Sequence, residues 1–140
     1  MTLMVVLGIV LSPLAGLTNP AAAAPGNGTQ VVAQLHLLDL NCLAENDGFG
    51  SDEPYINING QRVWSRGNVD RGDIELINIR YDFDEVVTVE LWEDDGGLSG
   101  KDDLMGRWFF FASEAGGGIT KVRSQFTTGV YDLRYEVVTP

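Results

Sequence analysis

VTVELWEDDGGLSGKDDLMG, running from Val87 to Gly106, decides how the chain folds. Its first half alternates: Val87, Val89 and Leu91 face one way, and Thr88, Glu90 and Trp92 the other. Apolar and polar residues at period two mark a strand with one buried face. Acids and glycines then break the strand at Glu93-Asp94-Asp95-Gly96-Gly97, and a second apolar run restarts at Met105 and continues to Phe111. Upstream, Ile74 to Tyr81 is another β-rich run, separated from Val86 to Trp92 by the short break Asp82-Phe83-Asp84-Glu85. Further back, Tyr55-Ile56-Asn57-Ile58 and Gln61-Arg62-Val63-Trp64 flank Asn59-Gly60. Asn-Gly between two such runs predicts a hairpin, because both turn residues need positive φ. In Gln34 to Asp39 the alternation predicts Gln34, His36 and Leu38 on one face and Leu35, Leu37 and Asp39 on the other. After Gly116-Gly117-Gly118, the runs Ile119 to Phe126 and Val130 to Val138 form a closing pair. Ser113-Glu114-Ala115 offers at most one helical turn. About eight short strands with turn signals between them predict an antiparallel sandwich or barrel.

The chain has 140 residues, 44% of them hydrophobic, which supports one domain with a core. Nine Lys and Arg stand against 20 Asp and Glu, a formal net charge of −11. No Asp, Glu, Lys or Arg precedes Asp39, so all of that charge lies between Asp39 and Pro140. Such a surface repels nucleic acid, which excludes a nucleic-acid binder, and it opposes anionic membranes unless a cation intervenes. The single cysteine, Cys42, excludes an intramolecular disulfide framework and a multi-cysteine zinc site. It reads as a small buried residue at a strand end, next to acids that raise a thiol's pKa.

Met1 to Gly16, MTLMVVLGIVLSPLAG, is apolar, and small residues follow it to Ala21-Ala22-Ala23-Ala24-Pro25. An apolar stretch before an Ala-x-Ala-like site is a secretory signal, here without a Lys or Arg ahead of it. Cleavage after Ala24 would leave about 116 residues, an ordinary domain length. Residues 25–33 then form a flexible leader and residues 34–140 the folded domain. This predicts a secreted protein. Asn27-Gly28-Thr29 fits the glycosylation triplet, a frequent chance match.

The acids fall in two clusters, each in a Gly-containing loop that follows a strong strand. The first is Glu45, Asp47, Asp52 and Glu53; the second is Glu93, Asp94, Asp95, Asp102 and Asp103. Like charges this close destabilise one another unless a cation or base lies between them. Lys101 is the only base in the second cluster, and the first has none. Hard carboxylate oxygens on such loops suit calcium, which takes six to eight oxygens at about 2.3–2.6 Å. Without His or Cys they suit zinc and copper poorly. The alternative is two solvated acidic loops that keep the protein soluble. The second loop is not an EF-hand, since neither the D-x-[DN]-x-[DN]-G spacing nor the Glu at its twelfth position is present.

LHLLDLNCLAENDGFGSDEPYINI, Leu35 to Ile58, resembles the opening of a C2 domain, the calcium-dependent lipid-binding β-sandwich family. There a strand leads to an acidic loop, then to Ser-Asp-Pro-Tyr and a second strand; here that stretch is Ser51-Asp52-Glu53-Pro54-Tyr55, with one inserted residue. Trp92-Glu93-Asp94-Asp95 and Asp103-Leu104-Met105-Gly106 resemble the family's later loop, apolar-aromatic-Asp-x-Asp, a spacer, then Asp-apolar-apolar-Gly. The resemblance implies an eight-stranded antiparallel β-sandwich with the two loops adjacent at one end. It implies calcium ligands at Asp47 and Asp52 in the first loop and at Glu93, Asp95 and Asp103 in the second. The chain departs from the pattern in having Glu93 for an Asp, a longer spacer from Asp95 to Asp103, and a shorter gap from Asp47 to Asp52. The Lys-rich strand that many relatives use for anionic lipid is absent.

The sequence thus predicts a secreted calcium-binding β-sandwich that presents its ion loops to a protein partner or a surface. Phe49 and Leu98, near the middle of the two loops, are candidates for a weak lipid contact; folding back on the core is their other reading. The competing reading is a secreted β-sandwich interaction or inhibitor module that needs no ion. Arg71-Gly72-Asp73, a tripeptide used by some adhesion ligands, reads first as a turn. His36 lies on a strand without a nucleophile motif and reads as structural. Acid clusters confined to loops of a short domain leave little room for a substrate cleft, so no enzyme is expected.

Overall fold

The computed structural model describes residues 32–46, 50–96, 100–127 and 129–140. The predicted signal, most of the predicted leader, and the loop residues Asp47, Phe49 and Leu98 lie outside them. Among the described residues there are eight strands and a single 3-10 turn: β1 Ala33–Ala44, β2 Pro54–Ile58, β3 Gln61–Ser65, β4 Ile74–Phe83, β5 Val86–Glu93, β6 Asp103–Phe111, the turn Ala112–Glu114, β7 Thr120–Arg123 and β8 Val130–Val138. Two four-stranded sheets run in the orders β4-β1-β8-β7 and β3-β2-β5-β6, with every pair antiparallel. The fold is an all-β sandwich.

Period-two alternation builds the core. Val87, Val89 and Leu91 of β5 are fully buried, as are Ile56 of β2 and Leu133 of β8, while Thr88, Glu90 and Trp92 are only partly covered. Asn59 and Gly60 turn the β2–β3 hairpin at φ 49° and 81°, the positive φ their pairing predicts. The sequence expectation for β1 fails at one point. A register shift lies between Leu37 and Asp39, so the buried set runs Leu35, Leu37, Leu40, Cys42, and Asp39 leaves the face of Leu35 and Leu37. A bulge adds one residue to one strand and inverts the parity beyond it. Opposite it on β4, Asn78 takes φ 51°.

The bulge puts Asp39 among the charged pairs on the outer side of the β4-β1-β8-β7 sheet. Arg134 Nε donates to both Asp39 oxygens at 2.9 and 3.0 Å. Asp132 accepts from Arg123 at 2.7 and 2.9 Å and from Lys121 Nζ at 2.7 Å. His36 sits between Glu136 and Asn78, 3.0 Å from each. Cys42 is fully buried, and burial is the main cause raising its thiol pKa. Of the Phe109-Phe110-Phe111 run only Phe110 enters the core; the flanking rings are 56% and 50% exposed.

At Gly106, opposite Leu91, a Cβ would lie 2.6 Å from both Cη2 and Cζ2 of the buried Trp108 ring. A rigid indole cannot give way without disturbing the sheets it lies between, so Gly106→Ala lowers stability by about 1–3 kcal/mol. A urea titration reading Trp fluorescence measures this; an unchanged midpoint would refute the packing account.

The Arg123 guanidinium, and then Lys121, hold the Asp132 carboxyl down at about 2, against 3.8 for a free aspartate. The folded protein therefore resists protonating Asp132. The pairing stabilises at and above pH 4 and is lost as pH falls through about 2. Both cations are more than half exposed. Solvent screening thus reduces the contribution to about 1 kcal/mol. Asp132→Asn is expected to melt a few degrees lower than wild type at pH 7, with the gap closing as pH drops from 4 towards 2.

Candidate functional site

Strand parity places two of the predicted ligands at the open end of the sandwich. Glu93 continues the inward series Val87, Val89, Leu91 and is fully buried. Asp103, the first residue of β6, is its direct cross-strand partner and is exposed. Like charges directly opposite on a sheet repel. An amide separates them: Asn46 Nδ2 donates to Glu93 Oε2 at 3.1 Å and lies 3.4 Å from Asp103 Oδ2. The other Glu93 oxygen, Oε1, accepts the backbone N–H of Glu53 at 3.1 Å.

Asp52 joins the group from the first loop. It is fully buried and forms an isolated bridge with Val69, with backbone bonds of 3.0 and 2.9 Å, which fastens the β1–β2 loop to the β3–β4 loop. Its Oδ2 accepts the Asn46 backbone N–H at 2.7 Å and the Tyr131 hydroxyl at 2.5 Å. Burial, and then the bond to Asp52, push the Tyr131 hydroxyl well above the ordinary tyrosine range, so it remains a donor. The β7–β8 loop closes on the same place, since Gly129 N–H donates to Asn46 Oδ1 at 3.3 Å.

Not every acid of the second cluster belongs to this group. Asp94 and Asp102 turn to the outer side of the sheet. There Arg62 Nη1 donates to Asp94 Oδ2 at 3.2 Å and Arg62 Nη2 lies 3.8 Å from Asp102 Oδ2. The Tyr55 hydroxyl donates to Asp102 at 2.6 Å, and the Arg62 guanidinium lies 3.4 Å from the Tyr55 ring centroid, a cation–π contact. The Trp92 ring lies alongside, its centroid 6.3 Å from that of Tyr55 and the planes 6° apart. Asp95 is partly buried, at the neck where the chain returns at Gly100; a Cβ there would lie 2.7 Å from the Asp95 Cβ.

Of the five predicted ligands, then, Asp52, Glu93 and Asp103 are joined through Asn46, Asp95 stands at the neck of the second loop, and Asp47 lies outside the described residues. Among the described residues no three His, Cys, Asp or Glu side chains stand close enough together to form a metal cage. The donor set nevertheless fits calcium in kind, being hard oxygen throughout. One nitrogen touches both Glu93 Oε2 and Asp103 Oδ2, so these two oxygens face a common point. The sequence reading missed Asn46, Tyr131 and Arg62. Asn46 carried one available signal, an amide donor placed just before the first acids of its loop. Arg71-Gly72-Asp73 is indeed a turn, with Gly72 N–H on Cys42 O at 2.8 Å and Asp70 N–H on Asp73 Oδ2 at 3.0 Å.

No protein-family model and no curated protein matches the chain. Solved structures do. A C2 domain structure aligns with a TM-score of 0.50 and 15% identity over 76% of this chain and 97% of that one. A C2 domain of plant Extended Synaptotagmin 1 aligns at 0.46, with 10% identity over 77% and 94% of the two chains. Human GIVD cytosolic phospholipase A2 aligns at 0.47 and 14%, over 77% of this chain but 17% of that longer one. With two four-stranded antiparallel sheets, and a match along nearly the whole of a C2 domain, this chain has the C2-like fold.

Proposed function

We propose that the chain is a secreted, non-catalytic C2-like module that binds calcium at the open end of its sandwich and presents its loops there to a protein partner or a surface. The observation that supports this best is the convergence of Glu93 Oε2 and Asp103 Oδ2 on one amide nitrogen, with Asp52 tied to the same residue. Acids this near one another call for a positive group, and calcium would supply it. Asp47, Asp52, Glu93, Asp95 and Asp103 are the residues to hold it. Export is supported by the apolar Met1 to Gly16 run before Ala21 to Ala24. Such a destination suits a weak site, since extracellular modules bind calcium at about 10⁻⁴–10⁻³ M. Phe126, 58% exposed in the β7–β8 loop, lies at the same end and would share the contact expected of Phe49 and Leu98.

The second reading, an interaction or inhibitor module that needs no ion, is favoured by the protein donors already on Asp52 and Glu93.

Thermal melts of the mature chain separate the two. At 10 mM calcium a site of that strength adds about 1.4–2.7 kcal/mol, which raises Tm by several degrees over the melt in EGTA. Asp95→Asn and Asp103→Asn are expected to remove the rise. An unchanged midpoint at every calcium concentration would establish the ion-independent reading.

A further inference from the structure

We propose that Asn46 is an amide latch: in the ion-free protein its side-chain N–H groups stand where a divalent cation would join Glu93 to Asp103, and the cation binds by displacing them. The inference rests on the calcium reading above and concerns how that site is kept closed.

Asn46 is the point where four stretches of chain meet. Its backbone N–H holds Asp52 at 2.7 Å, its Nδ2 reaches Glu93 at the end of β5 and Asp103 at the start of β6, and its Oδ1 takes the Gly129 N–H of the β7–β8 loop. These contacts fix the amide's orientation. Turned over, it would set Oδ1 against two carboxylates and its NH₂ against a backbone donor. The side chain is also backed closely, because a Cβ at Gly129 would lie 3.0 Å from the Asn46 Cβ and 3.1 Å from its Cα.

The electrostatics give the arrangement a purpose. Glu93 and Asp103 face one another in register, and Glu93 is fully buried. Two carboxylates so placed repel one another, and a positive group between them relieves the repulsion. The two amide hydrogens supply a fraction of that positive charge through charge-assisted bonds. A divalent ion supplies far more, and it needs the oxygens at about 2.3–2.6 Å, closer than a nitrogen at 3.1 and 3.4 Å allows. Amide and ion therefore compete for one place. The amide keeps the ion-free loops in register at the expense of affinity, which makes the site respond to calcium instead of holding it permanently.

The test compares wild type with Asn46→Ala by calcium titration calorimetry and by melts in EGTA and in saturating calcium. The latch requires Asn46→Ala to melt lower than wild type in EGTA, to match it in saturating calcium, and to bind calcium about five- to tenfold more tightly, the equivalent of one displaced hydrogen bond. Asn46→Leu, similar in size, removes the donor without adding a ligand oxygen. It should also melt lower than wild type in EGTA and bind more tightly, and it decides the matter if Asn46→Ala is unfolded under both conditions. Calcium binding by Asn46→Ala but not by wild type would support the latch strongly. Weaker binding by Asn46→Ala would make the amide a ligand and overturn the proposal, as would an equal Tm deficit with and without calcium. If neither wild type nor either variant binds calcium, the latch and the calcium reading fall together. Binding by wild type and variants with equal affinity defeats the latch alone.

Discussion

A carboxylate at the inward end of β5 is the constraint around which the loop end is organised. Val87, Val89 and Leu91 point into the core, and the pleat leaves Glu93 no other direction. A buried carboxyl group in that position is tolerated only with hydrogen-bond partners around it. Two of them come from distant chain: the Glu53 backbone at the entrance to β2 and the Asn46 amide at the exit from β1. Both sheets must therefore be assembled before Glu93 is satisfied. Because the same amide reaches Asp103, the solution for one acid also fixes the other.

The outer side of the β4-β1-β8-β7 sheet deals with buried acids differently. Asp39 and Asp132 are nearly as well covered as Asp52 and Glu93, yet each is met by full cations, Arg134 in one case and Arg123 with Lys121 in the other. These are complete pairs, and the lowered proton affinity of Asp132 reflects it. At the loop end the donors described for Asp52 and Glu93 are neutral: an amide, backbone N–H groups and a tyrosine hydroxyl. Neutral donors offset less of a carboxylate's charge than a cation does. An acidic chain with few bases has concentrated several of them where they close structural pairs.

The architecture was legible in the sequence because it depends on local rules. Period-two alternation located the strands, Asn59-Gly60 located a hairpin, and the acid-and-glycine breaks located the loops. The bulge after Leu37 was not legible, because it leaves no mark except the later arrangement Leu40, Cys42, and the pairing that requires it is with β4 and β8, far along the chain. For the site, residue type suggested the ligands but not their state. Composition presents Asp52 and Glu93 as loop acids exposed to water; the fold buries both and gives them protein donors. Asn46 and Tyr131 stand far apart in sequence and meet on Asp52, so no spacing rule could have linked them.

The second acidic cluster shows how parity sorts like residues into different tasks. Glu93 and Asp103, paired in register, lie on the inward side; Asp94 and Asp102, one residue further into the loop from each strand, lie on the outward side. Outside they meet Arg62, itself spread over the Tyr55 ring, and Tyr55 donates to Asp102 in turn. The outward pair is therefore an anchor: it ties both ends of the loop to the flank of the sandwich through one guanidinium. With the flanks held, the positions of the inward pair are set by the strands and not by their mutual repulsion. A single strand period thus sorts four of the cluster's five acids into two layers, one that holds the loop and one that the loop holds in place.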